Sequence, residues 1–164
     1  MNVVEKYKNR MRNAPDDGLA ENELAIVDEL LANLPDELDT ILEWILTEHK
    51  GYVEPRARAG KCFLERNPAR GWLVLECLLS SMDPDDRDTA IEVLGRTGDR
   101  TKYHLARPLL RDPYRYLQYE AIELLMKEYP EEVRPVLQQL ARQATTEREK
   151  EDARELLLAM EEEQ

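Results

Sequence analysis

DPDDRDTAIEVLGRTGD, residues 83–99, carries the start, the body and the stop of one helix. Asp83 suits the N-cap, where a short acceptor side chain satisfies an otherwise unpaired backbone N–H, and Pro84 suits the first helical position, where its missing N–H is not needed. Ala90, Val93 and Leu94 follow the period that gives a helix one apolar stripe. Gly95 and Gly98 supply backbone permissive enough to end the run. The same pattern returns at Asp112 and Pro113 in DPYRYLQYEAIELLMKEY, where Ala-Ile-Glu-Leu-Leu at 121–125 answers Ala-Ile-Glu-Val-Leu at 90–94, an offset of 31.

The same register reaches Ala59 in EPRARAGKCFLER and, one residue late, Ala153 in REKEDARELLLAM. Four residues after each alanine stands a large apolar residue (Phe63, Leu94, Leu125, Leu157), and three before it a long polar one (Arg56, Arg87, Gln118, Lys150). One helix face is thus written four times. Second helical segments lie between the copies, at 35–49, 67–82, 100–111 and 130–144, so the unit is a helix pair. NVVEKYKNRMRN and ENELAIVDELLANL form a further pair around an APDDG turn, without the alanine register. No useful strand-like alternation occurs, and the frequent Pro and Asp residues fall between helices as breakers. The class is all-α.

A helix pair repeating about every 31 residues resembles the HEAT-repeat family of α-solenoids, most specifically in RDTAIEVLGRTGD at 87–99, which is similar to the second helix of a HEAT unit. Pro108 and Pro135 stand where that family often places a proline in its first helix. The resemblance covers about residues 35–162 and implies a right-handed superhelical stack of about five helix pairs. The expected organisation is a single domain over 1–164, with a divergent N-terminal cap pair at 1–34, repeats at 35–144 and a C-terminal capping helix at 145–164. The family's usual aspartate between the two helices is present as Asp83 and Asp112 but is Lys50 in the first unit, and its usual arginine is Gln118 in the third. An Asp and Arg ladder between repeats is therefore expected to be incomplete.

At 164 residues, 42% hydrophobic and 35% charged, the chain suits one domain with a real core. No apolar run approaches a membrane span, and the N-terminus is too charged for a secretory signal core, so a cytoplasmic protein without membrane contact is expected. Cys62 and Cys77 sit in apolar helical patterns and read as reduced packing residues. The formal charge is −12, with 5 basic against 12 acidic groups over 1–50, 12 against 10 over 51–115, and 6 against 13 over 116–164. Acidity of this size argues against general nucleic-acid or anionic-membrane binding, which need clustered positive charge, and it suits basic partners.

Catalytic patterns are missing. His49 and His104 are the only histidines, in no zinc-ligand spacing, and read as surface or helix-end residues. Ser80 and Ser81 are the only serines and form no nucleophile elbow, no Gly-rich phosphate loop occurs, and neither metal nor cofactor is expected. Arg100, His104, Arg107 and Arg111 follow steps of 4, 3 and 4, which on an α-helix share one face. That stripe reads either as a solvated helix face or as an anion or nucleic-acid contact helped by Tyr114 and Tyr116.

Stacked repeats align equivalent positions as ladders. The register gives Ala57, Asp88, Tyr119 and Glu151; Arg58, Thr89, Glu120 and Asp152; Lys61, Glu92, Glu123 and Glu155; and Glu54, Asp85, Tyr116 and Arg148. HEAT proteins commonly bind through the concave side built by their second helices. The resemblance therefore nominates Asp85, Asp88, Glu92, Tyr116, Tyr119, Glu120, Glu123, Asp152 and Glu155 as an acidic groove for a basic segment of another protein, against the plainer reading of a solvated acidic surface. The leading functional expectation is a non-enzymatic interaction module, an adaptor or an inhibitor. A HEAT-like lyase or enzyme accessory, and nucleic-acid binding through the stripe from Arg100 to Arg111, are the alternatives.

Overall fold

A computed structural model describes residues 2–15 and 20–162, the side chain of Glu162 excepted. Among them are ten helical segments and no strand. The APDDG turn lies outside the described residues from Asp16 onward. The chain divides into two compact units, Met1–Gly98 and Asp99–Gln164.

The first unit holds α1 (Val3–Arg12), α2 (Glu21–Asn33), α3 (Leu38–Thr47), α4 (Val53–Arg66), α5 (Pro68–Leu79) and α6 (Pro84–Thr97). Helix α4 packs against α2, α3, α5 and α6 and is the hub of this unit. Leu38, Ile41, Leu42, Ile45 and Leu46 of α3, Phe63 of α4, Leu75 of α5 and Leu94 of α6 fill its core. The approach to α4 is close enough to require a glycine: a Cβ on Gly60 would lie 2.7 Å from Val93 Cγ2 and 2.9 Å from Leu46 Cδ1. Asp83 caps α6 by accepting from the Asp85 N–H, and Pro84 occupies the first turn. Gly95 stays within α6; the stop is Gly98 alone, in the left-handed region at φ 65°. Helix α2 ends instead on Leu34, at φ 43°, where an L side chain crowds the following carbonyl.

The second unit holds a 3₁₀ helix (Arg100–Arg111), then α7 (Arg115–Leu125), α8 (Pro130–Gln143) and α9 (Glu147–Glu162). The segment 100–111 is the one that departs in type from the sequence expectation. Asp99 accepts from the Thr101 N–H, and backbone bonds of i→i−3 spacing run from Lys102 to Asp99 and from Asp112 to Leu109, each 3.0 Å. Pro108 lacks an N–H, and in an α-helix its ring would press on the carbonyl of residue 104. Pro135 is accommodated within α8. Asp112 accepts from the Tyr114 N–H as Asp83 does from the Asp85 N–H, but while α7 starts in register with α6, Asp112 and Pro113 stand two residues earlier in that register than Asp83 and Pro84, so Pro113 lies outside the helix. Thr146 and Glu149 form a reciprocal capping box at the start of α9: each side chain accepts from the other's backbone N–H.

Ala59, Ala90, Ala121 and Ala153 are all buried, with no measurable exposure, on α4, α6, α7 and α9. The repeat register therefore marks buried positions on four helices. The polar ladder is more complete than its residue types suggest. Arg56, wholly buried, donates to Leu46 O at 3.0 Å and to Asp86 Oδ1 at 2.6 Å. Lys50, standing where the family has aspartate, donates to the same oxygen at 2.7 Å and to Asp83 at 3.0 Å. Burial acts to raise the Asp86 pKa, but hydrogen bonds from Lys50, Arg56 and Ser81 outweigh it and hold the carboxyl below its usual range. In the second unit Gln118 donates to Asp112 O at 2.7 Å and leaves its own buried Oε1 without a donor. Arg115 supplies the guanidinium there, donating to Glu149 at 2.9 Å and to Gln143 O at 3.0 Å.

Candidate interaction surfaces

Asp85, Asp88 and Glu92 are spaced three and four residues apart on α6 and share one face. Asp85 is exposed, while Asp88 and Glu92 are half-buried. Burial, then the charges of Glu92 and Asp85, push the Asp88 carboxyl above its usual pKa. Glu92 is already partnered: Arg96 Nε donates to it at 2.7 Å, and Arg96 Nη2 donates to Glu54. The face thus carries Glu54, Asp85, Asp88 and Glu92, with Arg96 pairing with Glu54 and Glu92, and among the described residues the Asp85 and Asp88 carboxylates pair with no cation. Two ladder positions are not surface at all, since Ala57 and Thr89 are fully buried. Arg58 turns to Asp28 of α2 at 2.6 Å.

In the second unit the candidates fall into two groups. Tyr116 is exposed beside Tyr114, ring centroids 6.1 Å apart and tilted by 60°. Tyr119 is half-buried, and its phenol pKa is raised by burial and then by Asp152 and Glu149, with Arg115 acting in the opposite sense. Helix geometry puts Tyr116, Tyr119, Glu120 and Glu123 on one side of α7. Asp152 and Glu155 are exposed on α9, three residues apart. Tyr119 and Asp152 therefore belong together across the α7 and α9 pair. Glu123 instead borders a small cleft of about 190 Å³ shared with Arg100, Tyr103, Lys127 and Glu128, in which Arg100 pairs with Glu128 at 3.0 Å. The expected ladder thus appears as one acidic patch on α6 in the first unit and one tyrosine and carboxylate patch on α7 and α9 in the second.

The basic stripe changes character with the helix type. A 3₁₀ helix has 3.0 residues per turn, so steps of 4, 3 and 4 leave only His104 and Arg107 eclipsed and turn Arg100 and Arg111 away by about 120° each. Arg100 donates to Glu128 at 3.0 Å, Arg107 Nε to Glu132 at 2.7 Å, and His104 Nδ1 contacts Thr101 O at 2.9 Å. A groove of about 950 Å³ between the 3₁₀ helix and α8 is floored by Leu110 and Leu140 and flanked by Pro108 and Pro135. Sequence reading missed it, because it depends on two segments diverging. The signal was the proline placed midway along each.

Groups with chemical potential elsewhere are held by the fold. His49 stands at the end of α3 but is buried, 8% exposed, and not a surface residue. Its Nε2 is 2.9 Å from Glu23 Oε1, the other Glu23 oxygen accepts from the Tyr52 N–H, and the Trp44 ring lies against it. Cys62 is half-buried, and burial raises its thiol pKa. Cys77 is exposed, contrary to its reading as a packing residue, because the apolar pattern of α5 continues onto its outer face. No group of three or more potential metal ligands occurs among the described residues, and no described helix is long and apolar enough to cross a membrane.

Comparison with known proteins agrees with this architecture. A family model for HEAT repeats matches residues 73–158, more than half of the chain. No curated protein and no solved structure matches it. With four buried alanines on a common register and helix pairs throughout, the chain belongs to the HEAT-repeat family, whose repeats generally serve protein–protein interaction and scaffolding and are typically not catalytic.

Proposed function

We propose that the protein is a non-enzymatic adaptor or inhibitor that holds a basic segment of a partner protein through the carboxylates of α6 in the first unit, the tyrosine and carboxylate surface of α7 and α9 in the second unit being a separate patch of the same chemistry. The observation that carries this reading is Asp88. A half-buried carboxyl pressed upward in pKa by burial and by Glu92 and Asp85 is a site where like charges accumulate without relief. A lysine or arginine from a partner supplies that relief. The remaining carboxylates act mainly on encounter, because exposed charges steer association more than they set final affinity. Tyr119, amphipathic and half-buried, is suited to anchor the bound state. The proposed setting is the cytoplasm.

The test is association kinetics with a Lys- and Arg-rich peptide at several salt concentrations. Reversing Asp85 and Asp88 to lysine is expected to slow association and flatten its salt dependence, while Tyr119→Ala speeds dissociation. Asp85 and Asp88 are better targets than Glu92, which Arg96 already neutralises, or Glu123, which stands beside Arg100 and Lys127. Binding unchanged by the double reversal would end this reading.

A further inference from the structure

Helices α3 and α5 border a groove of about 480 Å³ on the first unit, whose lining includes none of Asp85, Asp88 and Glu92. Its floor is Val74 and Leu78, each 6% exposed and one helical turn apart. Beside them Leu73, 58% exposed, and Cys77 form a second row at the same spacing. Two rows at i and i+4 offer the groove into which a ridge of another helix packs. Carboxylates flank this apolar strip: Glu43 and Glu48 line the groove on the α3 wall, and helix geometry sets Glu76, exposed and outside the groove lining, beyond the Leu73 and Cys77 row on α5. Glu43 is satisfied by Arg70 at 2.7 Å, whereas Glu48 and Glu76 are exposed and, among the described residues, pair with no cation.

We propose that this groove docks an amphipathic helix of another protein whose apolar stripe is bordered on both sides by lysine or arginine. The apolar rows select a helix over a merely cationic coil, and the two carboxylate borders select basic flanks. The same borders repel an anionic lipid surface. A second copy of this chain does not fit, because its cation-rich helices have already buried their apolar sides, α1 through Tyr7 and Met11, 3% and 2% exposed, and the 3₁₀ helix through Ala106, Leu109 and Leu110, at 0%, 3% and 6%. The site is independent of the α6, α7 and α9 surface, since it requires a helical pattern in the partner and not charge alone.

Cys77 lies in the strip and reports occupancy directly. The probe is a synthetic peptide of about 14 residues with leucines at i, i+3, i+4 and i+7 and lysines elsewhere, compared with a scrambled isomer of the same composition. Alkylation of Cys77 by N-ethylmaleimide is expected to slow about tenfold with the patterned peptide and to be unchanged by the scrambled one; Cys62, half-buried, serves as the internal control. Leu73→Asp, at a site already exposed, is expected to abolish the protection, and Glu48→Lys with Glu76→Lys to weaken peptide affinity about tenfold. Asp85→Lys with Asp88→Lys leaves protection intact, which separates this site from the proposed adaptor surface. Equal protection by both peptides, protection by anionic phospholipid vesicles, or protection that survives Leu73→Asp would each overturn the proposal.

Discussion

Replacing Asp88 with asparagine is expected to stabilise the protein while weakening its hold on a basic partner. Asp88 faces Asp85 at three residues' separation and Glu92 at four on the same helix, and like-charge pairs at these spacings each destabilise by about 0.2–0.5 kcal/mol. Two such pairs set the gain at about 0.4–1 kcal/mol, partly reduced because Arg96 offsets Glu92. Asn and Asp have nearly equal helix propensity, so the backbone contributes little difference. The position lies beyond the first turn of α6, where the favourable effect of the helix dipole on a carboxylate has faded. For a chain of this size the melting temperature rises by about 1–4 °C. The pH dependence gives the sharper test. The folded-state pKa of Asp88 is raised, so the folded protein binds the proton more tightly than the unfolded chain, and wild-type stability falls as pH rises through that raised value. The asparagine variant lacks this loss. Thermal melts of both proteins should coincide below the ordinary carboxylate range and separate at neutral pH, with the variant higher. A variant less stable than wild type at neutral pH, or a difference constant across pH, would refute the reasoning.

Gly60→Ala is expected to destabilise by about 1 kcal/mol in urea titration: the steric cost of about 1–3 kcal/mol against Val93 and Leu46 exceeds the roughly 1 kcal/mol gained from helix propensity, and Val93→Ala in the same chain should recover part of the loss. Leu34→Gly is expected to raise the urea midpoint, because Leu34 is 61% exposed, contributes little packing and sits in the left-handed region that costs a side chain about 1–2 kcal/mol. The Glu149 carboxyl is held down at about 2 by hydrogen bonds from Thr145 and Thr146 and from Arg115. Its stabilising effect is thus present above the ordinary carboxylate range and fades as pH falls toward that value. Glu149→Gln should lower the melting temperature at neutral pH and converge with wild type near the acid limit of the titration.

What the sequence disclosed, it disclosed through periodic contacts. The alanines at 59, 90, 121 and 153 recur at one position of the repeat, and all four are buried. Gly60 is required by close approach, though a lone glycine inside a helix carries no period to draw attention to it. The 3₁₀ geometry of 100–111 was not legible, because an α-helix and a 3₁₀ helix place the same residues on a continuous coil and differ by only about 20° per residue. That small difference, accumulated, is what separates Arg100 and Arg111 from the His104 and Arg107 pair. His49 was misplaced because its partner, Glu23, is 26 residues earlier on another helix. Arg115 taking the guanidinium role beside Gln118 is equally non-local: nothing about its own position in the repeat marks it.

The distinction between acidic residues that hold the fold and those open to a partner follows from a count of cations and from where they are spent. With 35 acidic and 23 basic residues, carboxylates remain unpaired even if every cation takes one. The cations are used where helices meet: Arg10 on Glu29, Arg58 on Asp28, Arg66 on Asp39, Arg70 on Glu43, Arg107 on Glu132 and Arg115 on Glu149 each join two helical segments. Such pairs individually stabilise little at an exposed surface, but they leave the seams between helices locally neutral. The excess is therefore displaced onto outward faces, at Asp85 and Asp88 on α6, Asp152 and Glu155 on α9, and Glu48 and Glu76 beside the α5 strip. Self-repulsion there works against the compact state. A bound cation removes that repulsion, so the same residues that make these faces unfavourable in isolation make them receptive to a basic partner.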